Sequence, residues 1–260
     1  MLSLYLVSVT GPLSKSFLDS SVLRESVVSR SKVLGYTPRS KRSSQSRINL
    51  SLREILFYKE EQIKNCYEHF KEHLKTAVLL NSENIRDHAI AQANENDKDP
   101  NNYYLEFGVF SGSSINFFSN KINKKIYGFD SFEGLKEDWL GTTVIKGTFD
   151  LKKKIPKLNT NVVPISGWIQ DTLPIFIEEK KPKINFVHMD VDTYETTKFV
   201  LERIKPHLIK GAIILFDELY NFEGWDVGEY KALTEVFNEK DYKFISFSTD
   251  TSQAVIKILA

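Results

Sequence analysis

The chain has 260 residues, 41% apolar and 27% charged, with a formal net charge of +1. That balance belongs to a globular protein and gives no reason to expect nucleic acid or an anionic membrane as the main partner. Cys66 is the only cysteine, which excludes an internal disulfide and fits a reducing, cytoplasmic setting. No apolar run approaches the roughly 20 residues of a membrane span.

Residues 1–50 carry eight Lys/Arg against Asp19 and Glu25, a net charge of +6, and thirteen serines; the rest of the chain is net −5. An Arg- and Ser-rich, acid-poor start can be an organellar transit peptide, but a poorly ordered or variable N-terminal arm is the preferred reading. The opening MLSLYLVSV lacks a basic stretch, which argues against a secretory signal. Ser51-Leu-Arg-Glu54 has the form of a capping box. Apolar residues follow at helical spacing (Leu52, Leu56, Ile63, Tyr67, Phe70, Leu74, Val78), predicting an amphipathic helix over 52–79. Its apolar face has two surfaces to pack on: the rest of the chain, or a second subunit. A shorter helix over 83–93 and a polar linker, 94–102, closed by Pro100, complete an N-terminal helical region of 51–100.

From residue 101 the rhythm changes. Strand patterns at 103–110, 125–130, 161–166, 184–190 and 211–218 alternate with helical ones, such as 193–205 before Pro206. This predicts right-handed crossovers and a parallel sheet. The last two strands, 242–248 and 253–259, flank only four residues and form an antiparallel hairpin. The expected fold is α/β: a Rossmann-like, mostly parallel open sheet finished by a reversed strand, with a helical extension in front.

Ligands of such sheets sit outside the carboxyl ends of the strands. The first strand ends in Glu106-Phe-Gly108-Val-Phe110-Ser-Gly112-Ser113-Ser114. The glycines allow a tight turn and close approach of a ligand, and the following helix offers free N–H groups. The Gly-x-x-x-Gly spacing is not that of a dinucleotide site, which argues against an oxidoreductase, and a tight turn alone needs glycine for structural reasons. The second strand ends in Asp130-Ser131; the carboxylate falls 18 residues after Gly112, where it can accept from a ribose diol. The third ends in Gly167-Trp168, whose indole either stacks on a base or packs in the core. The fourth and fifth ends bring Asp190 and Asp217-Glu218 toward one rim. Three such acids repel unless a cation or a shared proton sits among them, or unless each separately serves its own turn. Oxygen-only ligands point to Mg²⁺, Ca²⁺ or Mn²⁺. Asp192-Thr-Tyr-Glu195 reads as a capping box for the next helix, which assigns Asp192 to structure, and His188 is expected to pack beneath the site.

The stretches LEFGVFSGSS, IYGFDSFEGL, DTLP, HMDVDTYETT and GAIILFDE, in that order, resemble the macrocin O-methyltransferase family over about residues 84–260. These are class I, S-adenosylmethionine-dependent, metal-dependent sugar O-methyltransferases. The resemblance implies a cofactor-binding catalytic domain over 101–260. Glu106, Gly108, Phe110, Gly112, Ser113 and Ser114 would hold the methionine end, Asp130 and Ser131 the ribose, and Gly167 and Trp168 would lie near adenine. It implies Mg²⁺ or another divalent cation on Asp190, Asp217 and Glu218, with Glu218 longer than the aspartate more often found there. Asp190 is the first choice, and Asp192 the second, for accepting the substrate proton. The expected partner is a small sugar or glycoside, shaped by segments 132–150 and 220–230. A non-catalytic binding protein that keeps the fold is the other alternative; the full set of acids argues against it.

Overall fold

The computed structural model describes residues 41–259, with side chains from Leu52 on; the first 40 residues of the expected N-terminal arm lie outside the described residues. Helix α1 (Lys41–Leu74) runs through Ser51, so the helix does not start at the serine as the sequence predicts. Residues from Arg53 on make up one unit. In it follow β1 (Val78–Leu80), α2 (Ser82–Asn96), β2 (Tyr103–Phe107), α3 (Ser113–Ser119), β3 (Ile126–Asp130) and β4 (Val162–Ser166). Then come α4 (Ile169–Lys180), β5 (Ile184–Met189), α5 (Tyr194–Ile204), β6 (Leu208–Phe216), α6 (Glu229–Val236) and the pair β7 (Tyr242–Ser248) and β8 (Ala254–Ile258).

Eight strands form one sheet in the order β1-β7-β8-β6-β5-β2-β3-β4. β8 runs antiparallel to both β6 and β7; the remaining pairs are parallel, as expected. The order reverses between β2 and β5, so the crevice lies outside their carboxyl ends. Backbone bonds continue past the strands there. Gly108 N–H donates to Phe129 O (2.9 Å), Asp190 N–H to Phe107 O (2.9 Å) and Asp217 N–H to Met189 O (3.0 Å). The strand-end residues are therefore held level with one another before any side chain acts.

The sheet is covered on both faces, which explains why β5 reads INFVHM with every residue buried rather than alternating. One face packs Leu105, Phe107, Val187, Met189, Ile214 and Phe216 under α4, α5, α6 and the end of α1. The other packs Tyr104, Phe186, Ile213, Leu215 and Val255 under α2 and α3. Strand β1 departs from the sequence expectation. Val78 continues the helical spacing of Leu74, yet residues 78–80 pair in parallel with Ser246, Phe247 and Ser248. Edge pairing with β7 overrides a local pattern that three residues are too few to contradict.

Among the described side chains of α1, the apolar face is buried toward the C-terminal end and exposed at 52–57. Phe70 is fully buried, with ring centroids 4.9–5.9 Å from Tyr220, Trp225, Tyr230, Phe244 and Phe247. Leu52, Ile55, Leu56 and Phe57 are exposed. Among the described residues no helix is long and apolar enough to cross a membrane. Phe70→Ala, which empties the centre of the aromatic cluster, is expected to lower unfolding free energy by about 3–5 kcal/mol in urea titrations.

Candidate active site

The turn after β2 is built around glycine. Gly108 has φ +86° and a Cβ there would lie 1.6 Å from the carbonyl oxygen of Asp190, so no side chain is tolerated where β2 and β5 meet. Phe110 also takes a left-handed backbone (φ 41°), which turns its ring toward the crevice mouth. The turn is fastened by Asp130. One carboxylate oxygen accepts from the N–H groups of Val109 (2.8 Å) and Phe110 (2.7 Å), the other from Phe132 (2.7 Å). A carboxylate has about four acceptor positions, so capacity for a hydroxyl remains.

Beneath the turn runs a buried charged line. Ser114 Oγ donates to Glu106 Oε1 (2.8 Å). Glu106 Oε2 lies 3.2 Å from His188 Nδ1, an ion pair without hydrogen-bond alignment. His188 Nε2 lies 3.4 Å from Asp217 Oδ1, which Arg86 approaches at 3.4 Å and which Gln253 Nε2 also contacts. Burial pulls the His188 pKa down, but the Asp217 and Glu106 carboxylates beside it outweigh that and push the value up to about 10. For Asp217 burial acts upward, and His188, Gln253 and Arg86 together hold it well below the usual carboxylate range. His188 is therefore an imidazolium shared by two carboxylates. It lies under the site, as the sequence suggested. Glu106 is fully buried between Ser114 and His188 and lies outside the cavity lining.

Above this line a cavity of about 300 Å³ opens at the switch point. Asp190, Asp192, Asp217 and Glu218 form its acidic side; Phe110, Trp139, Phe149 and Trp168 form the aromatic side. Gly108, Asp130 and Ser131 also line it, whereas Gly112, Ser113, Ser114 and Gly167 lie outside its lining. Lys136 sits 5.0 Å from the Trp168 ring centroid, on the segment 132–150 expected to shape the pocket. Segment 220–230 does not line the cavity. It packs Trp225 and Tyr230 on Phe70, and it meets the 132–150 segment through Phe222, 6.3 Å from Trp139, and through Gly224 against Leu140 and Gly141.

The acids fall into two overlapping groups, each with ligand atoms all within 4.8 Å of one another: His188, Asp190 and Asp217; and Asp190, Asp192 and Glu218. Asp190 is common to both. Asp192 corrects the sequence reading. The N-cap of α5 is Thr193, no side chain caps the helix, and Asp192 instead takes φ +63° and turns its carboxylate into the cavity. Burial first, then Asp217 and Asp130, push its pKa up to about 7. Asp190 and Glu218 are raised well above the usual range, by desolvation and then by Asp217. Glu218 Oε2 is buried with no hydrogen-bond partner. The sequence reading missed Glu229, the first residue of α6, which is fully buried and accepts from the Glu218 N–H at 3.1 Å. It had no signal, because GEY at a loop end looks like any helix start. Arg86 and Gln253 were missed for the same reason: they come from α2 and the turn before β8, far away in sequence.

Comparison with known proteins bears on the fold. Residues 105–219, from β2 to just past Glu218, match the family described as "Methyltransferase domain". No curated protein gives a match. The chain is similar to the crystal structure of CalS11, a calicheamicin methyltransferase, at 22% identity and TM-score 0.55, over 97% of this chain and 99% of that one. An apo structure of CalS11, described as TDP-rhamnose 3′-O-methyltransferase, aligns at 22% identity and TM-score 0.50, over 85% and 97% of the two chains. The chain thus has the class I, Rossmann-like methyltransferase fold, and the protein is an enzyme whose residues 105–219 match a methyltransferase domain.

Breaking the buried line is expected to be costly. Glu106→Leu leaves His188 with one carboxylate partner and should reduce stability by about 3–5 kcal/mol in chemical denaturation; a loss under 1 kcal/mol would show that the pair contributes little.

Proposed function

We propose that the enzyme transfers a methyl group from S-adenosylmethionine to a sugar hydroxyl, on a nucleotide sugar or glycoside, with help from Mg²⁺ or a similar divalent cation. The observation that carries this reading is the carboxylate triplet of Asp190, Asp192 and Glu218, converging beside a glycine turn at the switch point. CalS11, similar in fold, is described as acting on TDP-rhamnose. With one buried cysteine, the proposed setting is the cytoplasm.

The residues fit both groups. For the cofactor, Gly108 allows close backbone approach, Asp130 keeps acceptor capacity for a ribose, and Trp168 offers an aromatic face in the cavity wall. For the cation, the donors are all carboxylates, a hard-oxygen set suited to Mg²⁺. The partnerless buried Glu218 Oε2 is an oxygen that a cation would satisfy. Asp190 and Glu218 would hold the ion, with Asp217 as the third ligand expected from sequence and Asp192 within reach.

When bound, the cofactor supplies an electrophilic methyl and the cation lowers the pKa of a substrate hydroxyl. The chain supplies position and a base. Asp192 is now preferred over Asp190 as the proton acceptor: it lines the cavity, its backbone is strained to present it, and its pKa lies near neutrality, where a base works best. His188 keeps Asp217 ionised and in place from below. Phe110, Phe149 and Trp139 narrow the mouth and limit water.

Three measurements test this. Methyl transfer from S-adenosylmethionine to a panel of TDP-sugars and glycosides should require Mg²⁺ and cease in EDTA; transfer undiminished by EDTA would remove the cation. Asp192→Asn should lower kcat by about 10²–10⁴-fold, with little change in S-adenosylhomocysteine affinity. An active Asp192→Asn would return that residue to a structural role. Trp168→Ala should weaken S-adenosylhomocysteine binding about tenfold in calorimetry if the indole stacks on adenine.

A further inference from the structure

Glu229 is a fully buried carboxylate that neither lines the cavity nor belongs to either cluster of candidate ligands. Its place in the chain explains it. Between Glu218 and Glu229 the loop 219–228 leaves the sheet, buries Leu219, Tyr220 and Trp225, and returns at the start of α6.

Three successive backbone N–H groups leave the end of β6, each with a different acceptor. Asp217 N–H donates to Met189 O of β5 (3.0 Å) and Leu219 N–H to Ser252 O (3.0 Å). The middle one, Glu218 N–H, donates to Glu229 Oε2 at 3.1 Å. Neither the β5 ladder nor the 252 turn supplies the acceptor that Glu218 uses, so Glu229 completes the anchoring of the only acidic residue in the cluster that has three side-chain torsions. Glu218 needs that anchor most. A glutamate reaches further than an aspartate and loses more rotamer freedom when held, and its Oε2 has no hydrogen-bond partner to orient it. The other oxygen of Glu229, Oε1, is likewise buried and unpartnered, so the backbone bond is the hydrogen bond this side chain makes.

We propose that Glu229 is a positioning residue of the cation site: by holding the Glu218 backbone it sets the direction in which the Glu218 carboxylate meets Asp190 and Asp192. The inference rests on the cation reading above and names what makes a glutamate serviceable at position 218. Supporting residues of this kind typically change metal affinity by about 10–100-fold.

The test is Mn²⁺ binding, read by electron paramagnetic resonance on the full chain without substrate. Wild type, Glu229→Met, Glu229→Gln and Asp190→Asn are compared after circular dichroism has shown each to be folded. Methionine keeps the volume but cannot accept the N–H; glutamine keeps an acceptor without a charge. Glu229→Met should raise the Mn²⁺ Kd about 10–100-fold, with the KM for Mn²⁺ rising in step and kcat recovering at saturating metal. Glu229→Gln should stay within about threefold of wild type, since the acceptor is retained. Glu229→Ala takes the place of the methionine variant if that one does not fold. Wild-type affinity in Glu229→Met overturns the proposal, as does a glutamine variant as weak as the methionine one, which would assign the effect to charge. If wild type itself binds no Mn²⁺, or binds it no better than Asp190→Asn, the cation reading falls and this inference with it.

Discussion

A protonated imidazole in the middle of the sheet is the interaction on which the rest of the site depends. His188 stands on β5, directly beside Glu106 on β2 and next to the end of β6 where Asp217 follows. Four carboxylates converge on the same rim, and like charges in a poorly solvated place repel strongly. The imidazolium offsets two acids at once and does so from inside, where no ligand is needed to complete it. Isolated, it would be a buried charge costing several kcal/mol; flanked by two carboxylates it is compensated.

That arrangement sorts the acids by role. Glu106 and Asp217 face the histidine, and Asp217 is further engaged by Arg86 and Gln253. Asp190 also feels His188, but desolvation and then the neighbouring Asp217 push it, Asp192 and Glu218 upward. The result is one acid kept ionised and three that attract either a proton or a metal ion. The proposed cation and proton-acceptor roles both require that division.

The hydrophobic architecture serves the same rim from outside. The loop after β6 is pinned by the aromatic cluster around Phe70 of α1, so the chain that carries Glu218 and returns at Glu229 is backed by packed rings. The segment 132–150, by contrast, contributes Trp139 and Phe149 directly to the cavity wall and leaves Leu140 and Ile145 exposed at its surface. The 132–150 segment thus meets the cavity directly, while the 220–230 loop backs it from outside.

Much of this was legible in the sequence, and the reason is periodicity. Buried parallel strands read as apolar runs and their ends as breaks in those runs, so the sequence by itself places Gly108, Asp130, Asp190 and Asp217 at the carboxyl rim. The reversed terminal strand followed from a four-residue connection between 248 and 253. What sequence alone left open or misread was direction. Glu106 and Asp130 both precede turns, yet one points into the core toward His188 and the other fastens the glycine turn. Asp192 carries the spacing of a helix cap, but its left-handed backbone turns the carboxylate into the cavity. Val78–Leu80 continue a helical pattern and become a strand because β7 offers an open edge. Glu229, Arg86 and Gln253 reach the site across long stretches of chain. Local pattern determines which residues stand at the rim; only the tertiary structure decides where each side chain points and what charge surrounds it, because both depend on neighbours that the sequence does not place side by side.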